Sequence, residues 1–120
     1  MNATSATNTD AVTVPNYMET VVSVPFTRET PGTAFLSFDG QVNGENGTAD
    51  GILCELRVDT QTKAERYISV AGNGQESLAI SAFNSLESGE HTAAVLCRKG
   101  SSLSSVQFPA TRSRLTVLAG

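Results

Sequence analysis

A chain of 120 residues fits one domain and is long enough to bury a core without a metal or several disulfides. Only 17% of it is charged and its formal net charge is −4, so there is no basic stripe for nucleic-acid phosphates, and no apolar run reaches the length of a membrane span. The polar surface must come from Ser, Thr, Asn and Gly, a mixture that suits strands and turns.

Residues 1–10 form a low-complexity run of Asn, Ala, Thr and Ser with too little apolar surface to order itself. It has no apolar h-region, so no signal peptide is read there. The expected organisation is an N-terminal arm over 1–18, reaching a neighbouring subunit, and a single domain over 19–120. From 19 to 27, Val22, Val24 and Phe26 share one face of a strand, with Pro15 and Pro25 at an edge or strand end. Residues 29–32 read as a turn, and 33–42 as a strand with Ala34, Leu36 and Phe38 on one face. A loop rich in Gly, Asn and Asp spans 43–50.

The clearest half-buried strand follows: Ile52, Cys54, Leu56 and Val58 alternate with Leu53, Glu55 and Arg57. A hairpin turn at 59–63 leads to a strand over 66–71; one helical turn over 62–67 is the most helix the chain suggests. Gly72, Asn73 and Gly74 make a tight connection. Residues 77–83 alternate through Leu78, Ile80 and Ala82, and 91–98 through His91, Ala93, Val95 and Cys97. A Ser-rich turn at 100–105, a short strand at 106–108 and a closing strand at 114–119 complete the pattern. About eight short strands separated by turn residues predict an all-β fold, an antiparallel two-sheet jelly roll or sandwich.

The residues that carry chemistry are few. Cys54 and Cys97 either form a disulfide or stay as buried thiols. Two cysteines and one histidine match no zinc spacing, and no cofactor motif is present, so neither metal nor cofactor is expected. Glu45, Asn46 and Asp50 could offer oxygen ligands to calcium, but their loop does not match an EF-hand and is read as a chain reversal. Asn2 and Asn46 head formal glycosylation sequons. His91, the only histidine, is expected to bond a turn carbonyl; a hydrolase built on it is the weakest functional reading. Arg57, Arg66, Arg98, Arg112 and Arg114 are expected to pair with Glu55, Glu65 or Glu76, or to guard strand edges.

The segment ESGEHTAAVLCR (87–98), the pattern Cys54-x-Leu56-x-Val58-Asp59, and the closing Arg with Leu115 and Val117 resemble the tumour-necrosis-factor-like jelly rolls of bacterial and phage proteins. The resemblance runs over roughly residues 20–118 and implies a homotrimer. An immunoglobulin-like sandwich fits less well: the chain has no Trp, and Val95 stands where that family places a Tyr. Phe35, Leu53 and Leu96 are out of phase with their buried neighbours and are expected to line a subunit interface.

The first expectation is therefore a non-enzymatic structural module, a homotrimeric capsid decoration or fibre-head protein within a larger assembly. The alternative is a carbohydrate-binding adhesin or lectin-like module with Tyr17 and Tyr67 as glycan contacts. Either belongs on a virion surface or outside the cell, with no nucleic-acid or membrane partner.

Overall fold

The computed structural model describes residues 2–45, 49–100 and 105–119. They contain ten strands and no helix: β1 Asn2–Thr7, β2 Val12–Thr13, β3 Glu19–Arg28, β4 Gly32–Glu45, β5 Asp50–Val58, β6 Gln61–Val70, β7 Gln75–Leu86, β8 Gly89–Lys99, β9 Ser105–Phe108 and β10 Arg114–Ala119. Two antiparallel sheets result. One has the order β3-β8-β5-β6. The other is built on the long β4, which pairs with β7 along one edge and with β10 and then β9 along the other; β1 and β2 flank these. The all-β, two-sheet jelly-roll arrangement is the one the alternation predicts.

The period-two pattern decides which side of each strand is inside. Leu36, Phe38 and Val42 of β4 face Ile52, Leu56 and Val58 of β5, with Leu78, Val95, Phe108 and Leu115 between the sheets, all essentially without solvent contact. Phe38 and Phe108 meet edge to face at 6.5 Å. Cys54 and Cys97 occupy opposed positions on β5 and β8 inside this core and are disulfide-bonded.

Residues 2–7 differ from the expected arm. They form β1, laddered along β10 from Asn2 opposite Ala119 to Thr7 opposite Arg114. Large apolar side chains are not what holds them. Ala6 packs on the core, and the strand is fixed at its end by Asn8, which is buried. The Asn8 Oδ1 accepts the Ser113 N–H at 3.0 Å, and its Nδ2 donates to the carbonyls of Asp10 and Pro109 at 3.1 and 2.9 Å. The backbone of Asn8 bonds Ser113 and Thr111 as well. Satisfying a buried amide this fully makes it a structural knot rather than a liability.

Two further boundaries moved. β4 continues to Glu45, past the predicted end, because Gly44 lets the 71–74 connection cross it: the Gly44 N–H donates to the Gly74 carbonyl at 2.9 Å, and a Cβ on Gly44 would strike the Ala71 carbonyl oxygen. β6 starts at Gln61, so the helical turn expected over 62–67 is replaced by strand. Asp59 and Thr60, both at positive φ (50° and 72°), close a two-residue reversal that pairs Val58 with Gln61. The loop expected over 43–50 is shorter, since Glu45 ends β4 and Asp50 opens β5; Asn46, the third residue of the calcium-ligand reading, and its sequon lie outside the described residues.

Candidate functional site

His91 is the one imidazole of the chain. It opens the buried run of β8, opposite Phe26 of β3, and its ring stacks on Phe26 with centroids 5.5 Å apart. Nδ1 lies 2.6 Å from Asp59 Oδ2, and Nε2 lies 2.8 Å from the Glu87 carbonyl oxygen. Both partners are acceptors, so the doubly protonated ring satisfies both bonds. The Asp59 hydrogen bond, reinforced by the Glu87 carbonyl, raises the His91 pKa above 6.5. Burial is the largest influence on Asp59 and pushes its pKa up, but the His91 bond and the Thr92 N–H together outweigh it and the net shift is down. The other Asp59 oxygen accepts that Thr92 N–H at 2.9 Å. A ring whose two nitrogens both donate has no lone pair for general-base work; the trio ties the 59–60 reversal to the head of β8. No three His, Cys, Asp or Glu side chains converge on a metal-sized site among the described residues.

The residues singled out from the sequence are dispersed. Tyr17, 65% exposed, lies in the bend between β2 and β3. Tyr67, 67% exposed, stands on the outer face of the four-stranded sheet and leans over Gly51, where a Cβ would collide with its ring and hydroxyl. Leu53 sits opposite Tyr67, and Leu96 opposite Glu55, on that same face. Phe35 is on the outer face of the other sheet, roughly the thickness of a sheet stack (~10 Å) and more away. No single surface therefore presents Phe35 together with Leu53 and Leu96. Of the arginines, Arg57 pairs with Glu55 on its own strand at 2.9 Å. The Thr62 hydroxyl is the main cause that lowers the Glu55 pKa; burial opposes it and Arg57 adds to it.

What the structure does assemble is the outer face of the six-stranded sheet, and the register fixes its rows. Ala3, Leu118, Phe35 and Phe83 lie side by side across β1, β10, β4 and β7. The next row is Ser5, Thr116, Ser37 and Ser81, four hydroxyls. Beyond it come Thr7, Arg114, Asp39 and Ala79, then Gln41 with Ser77, then Gln107, Asn43 and Gln75 across β9, β4 and β7. The Gln41 Nε2 donates to the Asn43 Oδ1 at 3.3 Å, which orients both amides. Phe83 is 75% exposed, the most exposed large apolar side chain among the described residues, and its ring packs on Phe35 with centroids 4.7 Å apart. The face runs ~27 Å from Phe35 to Asn43 along β4, eight residues at strand rise.

Phe83 was legible in principle. It is out of phase with Leu78, Ile80 and Ala82, the same signal that singled out Phe35. What the sequence did not show is that β4 and β7 pair in a register that sets the two rings together.

No family model matches the chain, and no curated protein matches it by sequence. Solved structures do share its fold. One is the EclA C-terminal domain, described as a sugar-binding protein, 13% identical with a TM-score of 0.56 over 92% of this chain and 79% of that one. Another is the CBM36-1 domain of a multidomain xylanase from the hindgut metagenome of Trinervitermes trinervoides, 15% identical with a TM-score of 0.53 over 99% and 98%. A third is a family 35 carbohydrate binding module from Clostridium thermocellum, 15% identical with a TM-score of 0.50 over 100% of both. At these identities the likeness is one of fold. None of the three is described as a virion protein, a capsid component or a trimer, so the phage-type resemblance and the assembly it implied gain no support from them.

Proposed function

We propose that this domain is a non-catalytic carbohydrate-binding module that works outside the cell and holds its ligand on the outer face of the six-stranded sheet. The observation that carries this reading is Phe83, an aromatic ring left 75% exposed beside Phe35 on a face otherwise dominated by hydroxyl and amide side chains. A sugar ring has an apolar C–H face and a polar rim. An exposed aromatic accepts the first by stacking, and Ser, Thr, Asn and Gln side chains donate to and accept from the second. The fold shared with described carbohydrate-binding modules supports the reading, and the Cys54–Cys97 bond suits an oxidising compartment.

The test is a polysaccharide panel measured by affinity electrophoresis and calorimetry, on the native protein and on Phe83→Ala. Phe83 points away from the core, so its removal leaves the fold intact. Loss of the stacking contact should weaken binding about tenfold, the equivalent of ~1.4 kcal/mol. A Phe83→Ala protein that retains full affinity for whatever the native protein binds places the ligand elsewhere. Tyr67 on the opposite face is then the next substitution, because it is the second exposed aromatic on a sheet. A contact between copies of the chain is the other reading of the apolar row, since Ala3 and Leu118 extend it. Sedimentation equilibrium separates the two readings.

A further inference from the structure

The middle of the same face departs from its neutral surroundings. Asp39, Ser77 and Ala79 line a groove with Arg66 and Arg112. Arg66 comes from β6, the edge strand of the other sheet, which runs beside β7. Arg112 comes from the segment that leads into β10. Arg114, the first residue of β10, stands directly opposite Asp39 in the ladder. Two of the chain's eight Lys and Arg residues thus line a groove with one carboxylate and a third stands beside that carboxylate in the ladder, in a protein whose net charge is −4. Among the described residues, none of these three arginines forms an ion pair or a side-chain hydrogen bond. By contrast, Arg57 on the other sheet is held by Glu55.

Guanidinium groups that face a groove without a protein partner keep their paired N–H donors for a ligand. That fork matches a planar carboxylate in two parallel hydrogen bonds. One step along β4 from this groove is the hydroxyl row, and one step further is the Phe35–Phe83 pair. One way leads to aromatic stacking, the other to the Gln41, Asn43 and Gln75 amides, and the positive cluster lies between them. We infer that the face takes an acidic glycan, with Phe83 stacking on one sugar and Arg66, Arg112 and Arg114 receiving the carboxylate of a uronic acid further along the chain. The inference rests on the carbohydrate reading and names its ligand class.

The probe is polygalacturonate, compared with its fully methyl-esterified form, which has the same backbone without the charge. The free acid should bind at least about tenfold more tightly, with an advantage that shrinks as salt is raised. Arg66→Ala/Arg112→Ala should erase that advantage while leaving the ester's affinity as it was. Phe83→Ala should weaken both forms alike. Arg98→Ala, on the outer face of the other sheet, should change neither. Equal affinity of the native protein for acid and ester overturns the uronate assignment but leaves the carbohydrate reading standing. Failure to bind any polysaccharide, with a native β spectrum, defeats the carbohydrate reading itself. Dextran sulfate bound as tightly as polygalacturonate, and equally sensitive to the arginine pair, would mean charge attraction alone and also overturns the assignment.

Discussion

Removing the Cys54–Cys97 bond offers the sharpest test of how this fold is held. The two residues are 43 apart in sequence and face each other across β5 and β8. The ladder already sets their positions in the native state, so the bond acts chiefly on the unfolded chain. Closing a loop of that length costs the unfolded state about 13 cal/mol/K, or ~4 kcal/mol at room temperature, on the chain-entropy account. Small domains have net stabilities of about 5–15 kcal/mol, so Cys54→Ala/Cys97→Ala should stay folded in buffer but lose a large part of its margin. The assay is urea unfolding followed by far-ultraviolet circular dichroism, for the double variant and the native protein. The variant should show a much lower midpoint and a somewhat steeper slope, because its unfolded chain expands further. An unchanged midpoint would refute the reasoning and mean that the unfolded chain is already compact around β5 and β8.

The Asp59–His91 clamp makes stability depend on pH in a definite direction. The His91 pKa is raised on folding, so its contribution is complete below pH 6.5 and is lost as pH rises through the folded value. The Asp59 pKa is lowered, so its contribution is present above pH 3.8 and is lost as pH falls through the folded value. Urea midpoints should therefore be highest between these two limits and decline on the alkaline side. His91→Phe, which keeps the stacking on Phe26, should flatten the alkaline decline; an unchanged profile would assign the dependence to another group. Thr60 is a β-branched residue at φ 72°, a conformation that disfavours it by about 1 kcal/mol, so Thr60→Gly should raise the urea midpoint. A fall in stability would show that the Thr60 side chain supports the turn.

Where large apolar residues alternate, sequence and structure agree closely. β5 and β8 are the clearest cases, because Ile52, Leu56, Val58, Ala93 and Val95 can be buried together in only one phase. β1 was opaque for the opposite reason. Thr, Ser, Asn and Ala carry no phase signal strong enough to mark a strand, and what orders the segment is a ladder to β10 and the Asn8 knot, both made with residues about a hundred positions away. The same limit applies to the candidate face. The odd phase of Phe35 was visible, but its pairing with Phe83 depends on the β4–β7 register, and the gathering of Arg66, Arg112 and Arg114 depends on strands from both sheets. The sequence showed these arginines as strand residues awaiting acidic partners. Among the described residues, Arg57 is the one of the set Arg57, Arg66, Arg98, Arg112 and Arg114 with an acidic partner, Glu55, two residues away on its own strand.

The outward rows of the six-stranded sheet contribute almost nothing to the interior, which is filled by the opposite side of the same strands together with the disulfide-bearing sheet. On the proposed reading, exchanging Phe83, Ser81, Gln75 or Arg112 would alter what this surface binds while leaving the packed layer beneath it untouched. A scaffold of this kind can change its preference one side chain at a time, each intermediate staying folded, because the positions that select a partner are separate from those that keep the chain together.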